Sequence, residues 1–421
     1  MKRIAFVLLA VLAVSTHAQA ASFTVTLEAD LIDLNAGNGF CNVLPQAGPG
    51  PCSLRAAIIE ANALAGTDSI ALQAGQVIVL SQDGDDEDSA YSGDLDITGN
   101  TQILFLASGE RPLVDVNSLE RAFDVISGNL TLIGFDITGG EMTANAGSVG
   151  GAINIRSGAG IVQLSLLRFE DNLAVAGGAI YNNGDSTTVS ACDFRHNLVP
   201  APYILSGGAA IYNRGGLVID HSSIWQSVTE FEDDATAIVN LTSDGRSLTV
   251  SNTTIAENRI GISSNQDSPL YVVNSTIAAN SQIGVFISGT GGFFQMRNSV
   301  IAKNAEDCQI SDEAVLNLDR YNMDSDNTCE LSAGSSNYPG VEPYLTPLKR
   351  HGQFTAASWP LTISPMLDSG HPVVGAIGCE ADDQYFVDRP IDFDGNGNAR
   401  CDVGAIELDS DVIFFDPFDR Y

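Results

Sequence analysis

Between residues 162 and 304 one short pattern of apolar and polar positions recurs. Aligning the apolar residue three places before a recurrent Asn gives six anchors, Phe169, Phe194, Ile224, Ile255, Ile277 and Ile301, spaced 22 to 31 residues apart. Seven and five places before each anchor stand Val162 and Leu164, Thr187 and Val189, Leu217 and Ile219, Leu248 and Val250, Leu270 and Val272, and Phe294 and Met296. Apolar or small residues two apart mark a strand with one buried face. A unit of about 25 residues with two or three such strands, no helical period and Gly-rich or Asn-rich corners is one coil of a solenoid, stacking about 4.8 Å above the last. The phrases GGAINI (150–155), GGAIYN (177–182) and GGAAIYN (207–213) read as one corner followed by one inward-facing strand. The pattern therefore predicts an all-β fold, a right-handed parallel β-helix. A β-propeller, the competing repeat, needs blades of about 40 residues or more.

Polar slots repeat as well. Three places after the anchors stand Asn172, Asn197, Ser227, Asn258, Asn280 and Asn304, and three before stand Leu166, Ala191, His221, Asn252, Asn274 and Asn298. Both columns are expected to form side-chain ladders along the stack. His221 follows Asp220 and precedes Ser222, but its slot predicts a ladder member bonded inside the stack rather than a hydrolytic triad. Cys192 shares a slot with Ser222, Thr253, Ser275 and Ser299, which predicts a small, buried, unreactive thiol.

A solenoid leaves a sheet edge at each end, and edges need caps. In CSLRAAIIEANALAG (52–66) Ser53 can serve as N-cap, Leu54, Ala57, Ile58, Ala61 and Leu64 form an apolar stripe, and Gly66 closes the turn. This predicts an amino-terminal capping helix across the first coil. The same run resembles the CSLREA-type motif of secreted bacterial β-helix proteins, with Ala56 where that family has Glu, and GDLDITGN (93–100) is similar to the segment that follows it there. The GGAIYN phrases resemble repeats of polymorphic outer-membrane proteins, and SPMLDSG (364–370) and CDVGAIEL (401–408) resemble a closing choice-of-anchor module. The resemblance implies the fold and secretion, and leaves the chemistry open.

Other features bear on export. Lys2 and Arg3 precede an apolar run, and Ala18-Gln19-Ala20 offers a cleavage site between Ala20 and Ala21. No later apolar stretch approaches the roughly eighteen residues of a membrane helix. Removing Lys2 and Arg3 from 19 basic residues leaves 17 against 52 acidic, so the mature charge is 17 − 52 = −35. Such a surface repels nucleic acid. Cys41 with Cys52, Cys308 with Cys329, and Cys379 with Cys401 would each close a short loop in an oxidising compartment, although spacing leaves the connectivity open. The chain divides into a signal peptide (1–20), a cap with first coils (21–100), β-helix repeats (101–305), carboxyl-terminal coils with the anchor-like module (306–408) and an acidic aromatic tail (409–421). That tail resembles the endings of some exported proteobacterial proteins, which implies sorting or surface attachment.

Two constellations could carry chemistry. Glu170 and Asp171 should stack near Arg195 and His196, with Trp225 one coil further, a set able to grip a sugar; the competing reading is an ordinary charged turn face. DFDGNGNARCD (392–402) sets Asp392, Asp394, Asn396 and Asn398 at calcium-loop spacing around Gly397, with Asp402 as a further candidate ligand. Val403 stands where an EF-hand has its bidentate Glu, and the competing reading is an acidic turn tied by Cys401. The acidic run 83–96 lacks a defined spacing and reads as a solvated loop. Four places before the anchors stand Ser165, Ser190, Asp220, Ser251, Val273 and Arg297, and no acid pair for a lyase or hydrolase forms there. The reading is a secreted or cell-surface monomeric binding or adhesion scaffold for a polysaccharide or a host or cell-surface ligand, with no assigned catalytic residue. The alternatives are a calcium-assisted polysaccharide lyase or glycoside hydrolase, and a structural surface protein.

Overall fold

The computed structural model describes residues 20–410 except 47, 85–87, 144–147, 201–206, 230–234, 266, 290, 319, 334–335, 351–354 and 376–377. Residues 1–19, all but the last of the expected signal peptide, and residues 411–421 of the expected tail lie outside the described residues. Three long parallel sheets wrap a single core, with eleven strands in sheet A, ten in sheet B and nine in sheet C. A representative coil runs from Ile153–Ile155 in sheet C through Ala159–Ser165 in sheet A to Arg168–Glu170 in sheet B. The fold is a right-handed parallel β-helix.

The register follows the sequence slots. Val162 and Leu164 pair with Thr187 and Val189, and the same two positions pair coil by coil to Phe294 and Met296. The anchors pair likewise from Phe169 to Ile301, with the Phe169 and Phe194 rings stacked at 4.7 Å. These side chains fill the interior, where burial supplies the main stabilisation. The GG phrases mark a corner with no room for a side chain. Gly177 has φ 65°, and a Cβ there would collide with the Ile180 carbonyl oxygen. Gly208 does the same against Ile211, so the two phrases are in register from that glycine on, with Ile180 paired to Ile211.

One Asn column forms the expected ladder and the other does not. Asn172 donates its amide to Asn197 at 3.0 Å, Asn258 to Asn280 at 3.1 Å, and Asn280 to Asn304 at 2.9 Å. A further ladder joins Asn182, Asn213, Asn240 and Ser264 at 2.8, 2.9 and 3.0 Å. The slot three before the anchor is a left-handed corner instead, with φ 55°, 53°, 50°, 43°, 42° and 47° from Leu166 to Asn298. Asn recurs there because it tolerates that region. Its side chains reach outward: Asn298 donates to Gly378 O and accepts from His371 N, and Asn274 accepts from Glu380 N. His221 is accordingly not a ladder member inside the stack, since its ring faces the carboxyl-terminal segment. Cys192 sits in a hydroxyl ladder in which its N–H donates to Ser222 Oγ, Ser222 N to Thr253 Oγ1, and Thr253 N to Ser275 Oγ. Burial pushes its thiol up to about 12.

The helix spans Leu54–Ala63, with Ser53 Oγ accepting from Ala56 N at 3.1 Å. It packs over the start of sheets A and C, and its other side is buried as well. Arg55 there pairs with Asp30 at 2.6 Å and donates to Gly93 O at 2.7 Å, while Glu60 accepts from Gly37 N at 2.6 Å. The three bonds Cys41 to Cys52, Cys308 to Cys329 and Cys379 to Cys401 are formed. Beyond the coils, the described residues of 339–410 return as a strap over the outside of sheet B, where Leu345, Met366 and Val403 pack on Ala278, Val300, Ala302 and Met323. Among the described residues no helix is long and apolar enough to cross a membrane.

The two Asn slots respond differently to mutation. In urea unfolding Asn280→Ala, which strips partners from Asn258 and Asn304, costs about 3 kcal/mol, whereas Asn252→Gly at the left-handed corner stays within about 1 kcal/mol of wild type.

Candidate functional site

On sheet B the anchor points inward, so the residues on either side of it point out. From Thr254 onward the strap covers this outer face: Gln384 accepts from Thr254 Oγ1 at 2.6 Å, and Thr276 Oγ1 accepts from Ala405 N at 3.0 Å. The preceding coils keep a half-exposed strip. Cross-strand pairing sets Glu170, Arg195 and Trp225 side by side, with Arg195 at 3.4 Å from Glu170 and 4.8 Å above the Trp225 ring. Asp171 and His196 occupy the left-handed corner just beyond, 4.0 Å apart, with φ 55° and 51°.

The strip also recruits side chains that no slot alignment could bring there. Arg350, from the hairpin Lys349–Arg350 and Ala356–Ala357, donates to Asp193 and lies 5.9 Å from the Trp225 ring. Asp193, 2% exposed, also accepts from Ser223 Oγ at 2.5 Å and Trp225 Nε1 at 2.8 Å, which fixes the indole. Arg111 reaches in from an earlier coil to Asp136 at 2.6 Å and to Leu166 O at 2.5 Å, and Arg168 lies 3.8 Å from Asp136. Burial lowers the affinity of Arg168 for its proton; Asp136 opposes this, and the charges of Arg111 and Arg350 add to it. Four guanidinium groups thus converge on one stretch of a chain with formal charge −33.

Beside the strip a cavity of about 410 Å³ lies between the corners of three coils and the strap. Its floor is Ser165, Leu166, Ser190, Ala191 and His221, and Thr355 with residues 384–386 form its wall. His221 is the latch between the two. Its Nδ1 lies 2.6 Å from Asp220, its Nε2 lies 3.3 Å from Asp382, and its ring stacks on Phe386 at 4.1 Å. Burial works against the imidazolium, but Asp220 and Asp382 outweigh it and the net shift is upward.

Two acidic clusters lie elsewhere. Asp368, Asp392 and Asp394 bring carboxylate oxygens within 4.8 Å of one another. Within the predicted loop Asp392 accepts from Gly397 N at 2.7 Å, Asn396 donates to Asp394 at 2.8 Å, and Asn396 Oδ1 accepts from Asn398 N at 2.9 Å. Asp402 is buried away from them, accepting from Asp368 N and Leu408 N at 2.8 Å each. Asp368, 24 residues before the loop, escaped the spacing argument. On the outside of sheet C, Asp124 is held by Arg121 and Arg156 at 2.7 Å each. Nearby Asp94 is pushed up to about 8 by burial, with Asp96, Asp124 and Glu120 adding to the shift and Arg121 opposing it.

Residues 146–338 match the family described as the right-handed β-helix region. No curated protein sequence matches the chain. Among solved structures, the pectate lyase Pel9A is similar with a TM-score of 0.47 and 12% identity, covering 93% of this chain and 97% of that one. A rhamnogalacturonan lyase is similar with a TM-score of 0.44 and 12% identity, covering 80% and 96%.

The latch has a pH signature. A histidine whose folded pKa lies above its unfolded value of about 6.5 contributes stability that is complete below that value and is lost as pH rises through the folded one. Melting scans from pH 5 to pH 9 should show wild type losing more stability across the alkaline half than His221→Gln, and parallel curves would show that the ring is not a charged latch.

Proposed function

We propose that the chain is an exported, monomeric binding scaffold that holds an anionic polysaccharide along the open strip of sheet B without processing it. The observation that carries this reading is a row of guanidinium groups on one face of sheet B, with Arg111 and Arg168 at Asp136 and with Arg195 and Arg350 beside Trp225. Guanidinium groups recognise carboxylates and sulfates in a planar, paired geometry, and an indole offers a face for a sugar ring. Coils about 4.8 Å apart present these groups at intervals comparable with the units of an extended polymer. The strip's carboxylates are themselves held in ion pairs: Asp136 by Arg111, Glu170 by Arg195 and Asp193 by Arg350. They serve to orient the guanidinium groups, which suits binding better than proton transfer. Three disulfides suit an oxidising compartment, and the resemblance of residues 52–62 to CSLREA-type proteins supports secretion.

The oxygen-only set of Asp368, Asp392 and Asp394 is suited to calcium, a hard cation. Burial raises the Asp368 carboxyl, opposed by the Asp394 N–H that it accepts and aided by the Asp394 charge, so the metal-free folded state carries a penalty at neutral pH that a cation relieves. This site lies on the strap and supports its fold rather than contacting the polymer.

Two experiments test these readings. In affinity electrophoresis of residues 21–421, polygalacturonate should retard the protein and amylose should not. Trp225→Ala or Arg195→Gln should each weaken retention about tenfold, and salt should weaken it further. New unsaturated or reducing ends would replace the scaffold by a lyase or hydrolase, and no retention would favour adhesion to protein or a structural surface role. For the cation, millimolar calcium should raise the melting temperature of wild type, and Asp368→Asn should abolish most of that gain.

A further inference from the structure

The cavity beside the strip differs from it in chemistry. Most of its polar atoms are already bonded to the protein. The Gln384 amide donates to Thr355 Oγ1 at 3.0 Å and Ala356 O at 2.9 Å, and the Tyr385 hydroxyl donates to Thr355 O at 2.9 Å. His221 is held between two carboxylates. What the cavity offers a ligand is mainly the apolar surface of Leu166, Ala191, Tyr385 and Phe386, with the Ser165 and Ser190 hydroxyls on the floor. Phe386 is built into this position. Its backbone holds φ 63°, an uncommon region for a bulky side chain, and the Asp383 carboxylate fixes the turn by accepting from Tyr385 N at 2.7 Å and Val387 N at 2.9 Å. One face of the ring lies on His221, yet the residue remains 56% exposed. A strained, braced turn that presents an aromatic ring to solvent fits a binding role better than a packing role.

The cavity also adjoins the cationic strip. Leu166 lines it and offers its carbonyl to Arg111, while Thr355 of the wall belongs to the same hairpin as Arg350. A ligand reaching both places carries an anionic group and a flat apolar one. The volume, about 410 Å³, lies in the range of small-ligand sites, about 300 to 1,000 Å³.

We propose that the cavity takes an aromatic acyl substituent of the glycan held on the strip, so that the protein selects an arylated anionic polymer over the bare one. This rests on the strip reading for the polymer, while the cavity can be probed without it. Esterifying polygalacturonate with hydroxycinnamate gives one probe, its saponified product the second and an acetylated polymer the third. Calorimetry on residues 21–421 should show the hydroxycinnamate ester binding about tenfold tighter than the saponified polymer, as burial of one ring supplies. Phe386→Ala, and Ser190→Trp which fills the cavity from its floor, should each bring that ratio to about one, with folding checked by circular dichroism. Equal affinity of wild type for esterified and saponified polymer overturns the proposal, as does a preference for the acetylated polymer alone. If no polymer binds, the strip reading fails by itself, and ethyl hydroxycinnamate decides the cavity: saturable binding lost in Ser190→Trp supports it, and no binding overturns it.

Discussion

Parallel strand pairing in register, one coil on the next, is the constraint from which the rest of this structure follows. Each coil satisfies its backbone groups only through its neighbours, so every coil must present strands at the same places whatever the length of its loops. Coils of 22 to 31 residues meet that condition by taking up their differences in length between the paired strands. A slot then recurs at one strand spacing along the whole stack. Buried polar side chains become tolerable because an identical partner lies above and below. Asn258, Asn280 and Asn304 bond to one another in this way, and the hydroxyl column does the same for backbone N–H groups. Where a partner is missing, as at Ser227, the neighbour's amide oxygen still accepts from the backbone.

The same repetition makes the outer faces uniform, so something must break the uniformity to create a site. In this chain it is the strap. Small outward residues, Ala256, Ala278 and Ala302, let it lie close on the later coils, and Thr254, Thr276, Asn274 and Asn298 supply its hydrogen bonds. The earlier coils carry Arg168, Glu170, Arg195 and Trp225 at the equivalent positions, larger side chains that stay partly exposed. The boundary of the strap therefore follows side-chain size on sheet B. Its hairpin ends at that boundary, with Arg350 on Asp193 and Ala356 on Ser223.

Legibility in the sequence divided along this line. The inward slots were readable because alternation fixes which residues face the core, and their pairings followed without exception from Val162 to Met296. Glu170, Arg195 and Trp225 were readable as neighbours for the same reason. The corner column was misread because Asn serves two purposes: it bonds to copies of itself and it tolerates φ > 0. Leu166 and Ala191 in that column carried the distinguishing signal, since neither can join an amide ladder but both can be held at a left-handed corner. Arg111, Arg350, Phe386 and Asp368 were not readable, because tertiary folding and not slot register brings them to their partners.

The corner geometry explains why the strap, the cavity and the strip meet where they do. A left-handed residue turns the chain from sheet A into sheet B within two residues, which tips its side chain outward beside the next strand's outer face. Asn at that position offers a donor and an acceptor, and the strap takes both at Asn298. Leu166 and Ala191 offer neither, so the strap has no hydrogen bond to make over those two corners and a cavity remains beneath it. His221 lies between the two regimes: a polar ring on the last open corner, it closes the cavity against Phe386 and sits between the carboxylates of Asp220 and Asp382. The change from Asn to apolar residues along one corner column therefore converts a surface that docks the strap into one that leaves a cavity beneath it, without altering the coil itself.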